Sequence, residues 1–275
     1  MKTLNGENIY ENNDSITLNE LLKENKKIIS FVGSCQSGTS FLVNNIARLI
    51  ARRNIDVAIL DMTKGKSSYY IYTLNKESLM VSVKGNMKKL SEGIANGIKI
   101  ENNLTIYTDL PGKNEYSDKA EKILETLLKK HQFVIIDTDF TTNADYFAYS
   151  NQVYLVQTMD VLTMQPLTEF LSKLKSKNAI NDIDEKIRII LNKFMNFDEI
   201  SVGKLIGGLA YYNDPSMTYM QQIFEKNGAK YTTISYNQQA YEKYLQDVAT
   251  CRFTTNYSIE FKKELEMLTE DVIQG

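Results

Sequence analysis

The residue types best suited to chemistry lie between Gly33 and Ser40, in the stretch GSCQSGTS. Gly33 and Gly38 bracket four small or polar residues, which is the spacing of the phosphate-binding pattern G-x-x-x-x-G-K-[ST]. In such loops the backbone N–H groups and the N-terminus of the next helix face the phosphates of a nucleotide. The predicted nucleotide-binding residues are Gly33, Ser34, Cys35, Gln36, Ser37, Gly38, Thr39 and Ser40.

One position of the pattern differs, because Thr39 stands where the pattern has lysine. A lysine places a full positive charge near the β- and γ-phosphates, whereas a threonine hydroxyl offers one hydrogen bond and no charge. The backbone donors remain, and so does the Ser40 hydroxyl, which in this pattern contacts Mg²⁺. On this segment alone, a turn of small residues between a buried strand and a helix stays an open alternative.

Polar residues also end three apolar runs further along the chain. Asp61 follows VAIL, Asp137 follows FVII, and Asn192 follows IRIIL. A carboxylate at the end of a buried strand, as in a Walker B segment, would face Mg²⁺ held by Ser40. The alternative for Asp137 is a buried strand followed by an aspartate that caps a helix.

Apolar runs and helical periodicity predict the elements that position these residues. Strands are predicted at 28–32, 56–60, 103–107, 132–139, 152–157 and 186–191, with an edge strand at 204–209. Helices are predicted at 18–24, 41–53, 80–98, 118–130, 162–175, 217–227, 238–249 and 257–273. This alternation predicts an α/β fold with a doubly wound, mostly parallel sheet and helices on both faces. We expect an N-terminal extension with a short helix at 1–26 and one domain at 27–275.

Composition narrows the function classes. The net charge of −2, from 32 basic and 34 acidic residues, is not the strongly basic balance that would favour nucleic acid as a partner. No apolar run approaches the ~20 residues of a membrane span, and the polar N-terminus has no signal-peptide core, so we expect a cytoplasmic protein. Two distant cysteines give no metal spacing, and the single histidine, His131, argues against a histidine-based zinc site or a Ser–His triad.

The order of these motifs resembles the MinD/ParA family of deviant-Walker P-loop ATPases, and most of all its TadZ/CpaE branch of pilus-localisation proteins. It also resembles the ATPase domain of bacterial tyrosine kinases. The resemblance is carried by the segments VAILDMT, NLTIYTDLPGK, FVIIDTDFTTNADYFAYSNQVYLV and RIILNKF, together with the loop at 33–40. It implies a P-loop fold, ATP or ADP as cofactor, Mg²⁺ at Ser40 and Asp137, and an adenine contact from Asn192.

The departures from the family pattern fall on its catalytic groups. The family's signature lysine corresponds to Ser34, its Walker lysine to Thr39, and its water-positioning aspartate to Thr63. Asp61 is the one retained candidate for a catalytic role. Lys64 and Lys66 could supply the missing charge, although a solvated surface loop is the favoured interpretation of both.

We therefore expect a degenerate family member with weak or no ATP hydrolysis. The alternative that the protein binds no nucleotide also stays open. It would act as a localisation or scaffold factor for a membrane-associated machine, such as a pilus or a secretion or conjugation apparatus. The alternative is an active ATP-dependent switch in pilus positioning or DNA partition, with Lys64, Lys66 or Lys113 supplying charge.

The expected assembly is a homodimer that does not depend on nucleotide, since Ser34 cannot cross to a partner's phosphates as the signature lysine does. Further partners would be protein components of the machine. Nucleic acid is not expected as a partner. Direct membrane binding is not expected either, because the polar face of the last helix is mainly acidic.

Overall fold

The computed structural model describes residues 17–73, 76–112, 119–160, 164–176, 183–198, 202, 206 and 231–275. The predicted edge strand at 204–209, the predicted helix at 217–227, Lys113 and the first 16 residues lie outside the described residues, apart from Ile206.

The described strands form one sheet in the order β3-β4-β2-β5-β1-β6-β7-β8. Every neighbouring pair is parallel except β3 and β4, which are antiparallel. The strands are β1 (Lys27–Gly33), β2 (Val57–Asp61), β3 (Ile98–Glu101), β4 (Leu104–Tyr107), β5 (Phe133–Thr138), β6 (Gln152–Gln157), β7 (Ile187–Phe194) and β8 (Tyr231–Ser235). The predicted doubly wound, mostly parallel sheet is confirmed.

Helices cover both faces of this sheet. They are α1 (Leu18–Lys23), α2 (Thr39–Ala51), α3 (Ser67–Thr73), α4 (Glu77–Val83), α5 (Asn86–Ser91), α6 (Ala120–Leu128), α7 (Ala144–Ala148), α8 (Met164–Ser176), α9 (Ile183–Lys186), α10 (Gln238–Thr250) and α11 (Ile259–Gln274). None of the helices in the described part of the chain has the length and apolar character needed to cross a membrane.

The two sides of β1 show how the core is divided. Ile29 and Phe31 face a cluster built with α2, α10 and α11, whereas Ile28 faces one built with α1, α5 and α6. This alternation follows from the two-residue repeat of a strand. Helix α8 covers the remaining part of the second face, over β6 and β7. Helix α11 packs its apolar side into the first cluster.

Several predicted elements differ from the structure. The helix predicted at 80–98 is wrong: it is two short helices, α4 and α5, separated at Gly85, whose φ of +73° belongs to the left-handed region. Ile98 begins the antiparallel edge strand β3, which the sequence did not predict. Strand β8 was also missed, although it extends the sheet beyond β7.

Candidate functional site

The carboxyl ends of the central strands meet at a cleft of about 530 Å³. The loop after β1, Asp137 of β5 and Asn192 of β7 all line this cleft. In a doubly wound sheet this edge, where strand order reverses, is the usual ligand site. Seven of the eight predicted loop residues line the cleft; the buried Ser37 does not.

Both glycines of the loop are required by close approach of neighbouring atoms. A side chain at Gly33 would overlap with the hydroxyls of Ser37 and Thr39 and with a backbone carbonyl of β6. Gly38 has a φ of +88°, and a side chain there would overlap with the amide of Asn192. The two glycines therefore match the sequence pattern, and they also stand where the loop has no room for a side chain.

Two side chains from the end of β7 hold the loop by its carbonyl groups. Asn192 Nδ2 donates to the carbonyl oxygen of Ser37 at 2.7 Å, and Lys193 Nζ donates to that of Gln36 at 2.9 Å. Sequence reasoning gave no role to Lys193. The predicted contact of Asn192 with adenine stays a prediction.

The N-terminus of α2 opens onto the cleft without a side-chain cap. Its N-cap residue is Gly38, which has no side chain to accept from the first-turn N–H groups. Ser40, in that first turn, lines the cleft. Uncapped N–H groups at the start of a 13-residue helix carry partial positive charge, so this end of the cleft suits an anion.

Thr39 does not replace the missing lysine. Its hydroxyl lies 2.9 Å from the hydroxyl of Ser37, and the side chain is 8% exposed. The group is thus engaged within the loop, and it brings no charge to the cleft. The Ser34 hydroxyl is buried without a hydrogen-bond partner.

The acidic end of the cleft contains two aspartates in register on neighbouring strands, Asp61 and Asp137. The carboxylate of Asp61 accepts four hydrogen bonds, from the N–H and hydroxyl of Thr63, the N–H of Ser68 and the hydroxyl of Thr108. Its acceptor positions are occupied by the chain itself. Asp61 therefore fixes the loop after β2.

Asp137 is the opposite case, since its side chain is fully buried and neither carboxylate oxygen accepts a hydrogen bond. Burial raises the pKa of Asp137 well above its ordinary value, and the charges of Asp61 and Asp139 add to this rise. The nearby Ser40 hydroxyl and Lys66 ammonium act in the other direction. A buried carboxylate without a partner is suited to a cation that enters with a ligand.

The two loop lysines lie in different environments. Lys64 is exposed, and its backbone N–H donates to Asp139 at 2.7 Å. The expectation of a solvated side chain is wrong for Lys66, which is 0% exposed and donates from Nζ to the carbonyl oxygen of Asp61 at 2.8 Å. Burial lowers the pKa of Lys66, and the surrounding aspartates oppose this shift.

Tyrosines that the sequence did not single out form the remaining wall. Tyr236 follows β8, and Tyr241 and Tyr244 lie one turn apart on α10. Tyr244 packs edge-on against Phe41 of α2, with ring centroids 5.3 Å apart. Burial, with a contribution from the charge of Asp137, raises the pKa of Tyr244 to about 12. The i, i+3 spacing of tyrosines on a predicted helix was the available signal.

The donor set fits magnesium better than a transition metal. Across the described ranges, no group of three or more His, Cys, Asp or Glu side chains could hold a metal ion. Mg²⁺ needs no such group, because it usually takes one or two carboxylates and completes its shell with waters and substrate phosphates. Ser40 and the partnerless Asp137 fit that description.

No family model matches this chain, and no curated protein matches it either. Solved structures do match. A plasmid partition protein from Borrelia burgdorferi B31 bound to AMPPNP has a TM-score of 0.63 at 17% identity, covering 90% of this chain and 99% of that one. MinD from Pyrococcus horikoshii OT3, complexed with Mg-ADP, has a TM-score of 0.58 at 14% identity, covering 90% and 96%.

A third match is the MinC:MinD cell division protein complex of Aquifex aeolicus, with a TM-score of 0.60 at 12% identity, covering 90% of this chain and 96% of the matched chain. The fold of this chain is thus that of the ParA and MinD ATPases. At these identities the comparisons establish the fold.

Proposed function

We propose that this chain is a degenerate MinD/ParA-type protein that binds an adenine nucleotide in the cleft and hydrolyses it weakly or not at all. The observation that carries the proposal is a phosphate-binding loop with complete backbone geometry but without the lysine of the pattern. The glycines, the uncapped N-terminus of α2 and the carbonyls tied to β7 are present, whereas Thr39 bonds to its own loop.

Each wall of the cleft has a role in this proposal. The phosphates lie against the N–H groups of residues 34–40 and the start of α2. Mg²⁺, if bound, is held by Ser40 and Asp137 and bridges phosphate oxygens. The base lies towards Asn192 and the tyrosine wall, where a ring can stack. ATP and ADP are the proposed ligands, and two of the matched structures contain AMPPNP and Mg-ADP.

The same geometry explains why little hydrolysis is expected. A cation that stabilises the transferring phosphoryl group is worth about 10³–10⁵ in rate. No lysine stands at Ser34 or Thr39. Thr63 has no carboxylate to orient water, and its hydroxyl donates to Asp61 at 2.7 Å. Asp61 accepts four internal hydrogen bonds, which leaves it no acceptor position for an attacking water.

The biological role we propose is a localisation or scaffold factor for a membrane-associated machine, such as a pilus or a secretion or conjugation apparatus. The protein would be cytoplasmic, homodimeric and recruited by protein partners. Two arguments support this role: the order of the motifs resembles the TadZ/CpaE branch, and the fold is shared with proteins that assemble with others, as in the MinC:MinD complex. The division into an extension at 1–26 and a domain at 27–275 also stays a proposal.

An active ATP-dependent switch is the second candidate function. It is favoured by the retained Ser40 and Asp137 and by Lys193, a cation in the cleft wall. In that case phosphate release would be robust and would disappear in Asp137→Ala.

The test is calorimetric titration with Mg²⁺-ATP and Mg²⁺-ADP, beside phosphate release from protein free of contaminating ATPase. We expect binding with release at the buffer background. Gly38→Ala should abolish binding because its side chain would overlap with Asn192. Gly93→Ala is the matched control, since Gly93 has the same φ of +88° and open space around the added methyl group. Binding by Gly38→Ala equal to that of the wild type would refute the site.

A further inference from the structure

Lys193 has a backbone conformation that is uncommon for a residue with a side chain. Its φ of +58° lies in the left-handed region that favours glycine. Its two neighbours, Asn192 and Phe194, pair with consecutive residues of β8, so Lys193 is one extra residue in β7. A β-bulge of this kind redirects side chains and is frequent beside functional sites. The conformation of Lys193 is therefore the first sign that its side chain is placed for a purpose.

The bulge directs two successive side chains of β7 to the phosphate loop, residues 33–40. In a regular strand, neighbouring side chains point to opposite faces of the sheet. Here Leu191 and Phe194, three residues apart, pack into the same cluster with α8, because the extra residue shifts the alternation. Asn192 Nδ2 and Lys193 Nζ, although adjacent in the strand, donate to successive carbonyl oxygens of the loop at 2.7 and 2.9 Å. Both side chains thus support the same loop.

The carbonyl groups of such a loop need partners of their own. Each residue carries one donor and one acceptor on the main chain, and a loop that binds an anion turns its donors towards the ligand. Gln36, whose carbonyl accepts from Lys193, also has a left-handed φ, of +65°. Backbone strain of this kind persists only where surrounding contacts hold it in place. The hydrogen bond from Lys193 is such a contact.

The ammonium group of Lys193 is held from two sides. Its Nζ donates to the Gln36 carbonyl oxygen, and it lies 5.5 Å from the centroid of the Tyr241 ring, whose face attracts a cation. All three residues line the cleft. A positive charge therefore stands at the phosphate loop, although Thr39 brings none.

We propose that Lys193 is a positioning residue for phosphate binding, which holds the phosphate loop in the conformation that turns its N–H groups to the cleft. It takes over the binding part of the role of the absent lysine, by supporting the loop and by attracting an anion. It does not take over phosphoryl transfer, because its Nζ is engaged by the Gln36 carbonyl and the Tyr241 ring. The anion-binding part rests on the proposed function, whereas the support of the empty loop does not.

The test compares two substitutions of Lys193 with a matched control. Lys193→Asn keeps the backbone, since asparagine adopts a left-handed φ readily, and its side chain is too short to reach the Gln36 carbonyl. Lys193→Arg keeps the charge, a donor and the stacking on tyrosine. The control is Lys186→Met. Lys186 directly precedes β7 at its other end, and its Nζ also donates to a backbone carbonyl, that of Ala148 at 3.2 Å.

Calorimetry with Mg²⁺-ADP and with inorganic pyrophosphate measures binding. We expect Lys193→Asn to bind both ligands about tenfold more weakly or worse, with Lys193→Arg within about threefold of the wild type and Lys186→Met within about twofold. The Tm of Lys193→Asn should fall by no more than about 2 °C, because the backbone strain is relieved. A lysine that only stabilises the fold would lower the Tm and leave both affinities unchanged. That result, or a loss of affinity that Lys193→Arg does not restore, would overturn the proposal.

Hydrogen exchange in the ligand-free protein tests the support of the loop by itself. The N–H of Ser37 donates to the Ser34 carbonyl within the loop at 3.1 Å. In Lys193→Asn this amide should exchange about tenfold faster, while amides of β5 keep their protection. If neither ADP nor pyrophosphate binds to the wild type, the proposed function fails and this measurement decides the role of Lys193. Faster exchange that Lys193→Arg reverses supports the positioning role, and unchanged exchange overturns it.

Discussion

The carboxylate of Asp137 has no hydrogen-bond partner, and this leads to a prediction about how the stability of the protein depends on pH. Its pKa in the folded protein is raised above the ordinary value of 3.8, mainly by burial and next by the charge of Asp61. Above the unfolded pKa, the folded protein therefore binds more protons at this position than the unfolded chain does. Stability contributed by this group falls as pH rises, until the pH passes the folded pKa. Asp137→Asn removes the charge and keeps the shape, so this variant should be more stable than the wild type at neutral and alkaline pH.

The expected gain follows from the hydrogen-bond inventory. A buried polar group left without a partner costs about 1–3 kcal/mol, and more when it is charged. Asparagine still leaves polar atoms unpaired, so we expect a gain of about 1–3 kcal/mol near pH 8. For a chain of 275 residues that corresponds to a Tm increase of roughly 2–5 °C. The gain should shrink as the pH is lowered, because the folded wild-type protein then takes up the proton at this carboxyl.

The assay is urea and thermal unfolding in EDTA from about pH 5 to about pH 8. The control is Asp61→Asn, on the neighbouring strand in register with Asp137. Its carboxylate accepts four hydrogen bonds, so its substitution should destabilise the protein by about 2 kcal/mol or more. This prediction is refuted if the Asp137→Asn variant is less stable than the wild type at alkaline pH. It is also refuted if the gain in stability does not change with pH.

Two further predictions concern the phosphate loop. Thr39→Lys alone should tighten nucleotide binding about tenfold, since hydrogen bonds to charged groups contribute about 1.5–3 kcal/mol. It should not restore full hydrolysis, because Thr63 and Ser34 are unchanged. Calorimetry beside phosphate release tests this, and an unchanged affinity would mean that the loop does not bind phosphate. The oligomeric state should be the same without nucleotide, with Mg²⁺-ADP and with Mg²⁺-ATP, because Ser34 cannot link the nucleotide to a second subunit. Light scattering over a concentration series measures it, and a dimer formed only with the triphosphate would support the switch instead.

The central strands were predictable because they are buried on both faces. Parallel strands of this kind read as continuous apolar runs, and β1, β2, β5 and β6 were placed to within two residues at each end. The edge strands β3 and β8 have the sequences IKIE and YTTIS, which are short and partly exposed. Edge strands show weak patterns because their preference depends on neighbours in the sheet. The sheet was therefore recognisable from sequence, whereas its borders were not.

Some residues of the candidate site were likewise predictable from the sequence, and others were not. The loop at 33–40, Asp137 and Asn192 could be placed at one edge because each follows an apolar run, and parallel strands bring such positions together. Lys66 could not, because the aspartates whose charges act on it lie at or just after the ends of three different strands, β2, β4 and β5. The tyrosine wall could not be placed either, because Tyr236 follows β8, a strand that the sequence did not predict. Local sequence indicates which residues end strands, and tertiary packing decides which polar groups are buried.

The acidic end of the cleft helps to decide whether the cleft binds a ligand or has lost that ability. The fold itself does not need a charge at the end of β5, since an apolar or amide side chain there would avoid an unpaired buried carboxylate. Asp137 is nevertheless present, fully buried, without a hydrogen-bond partner and in the lining of the cleft. Polar groups that destabilise a fold concentrate where a ligand compensates them. No lysine stands at position 34 or 39, while Gly33, Gly38, Ser40 and Asp137 line the same cleft. That combination fits the proposed function, in which the cleft binds a nucleotide, better than the loss of any ligand.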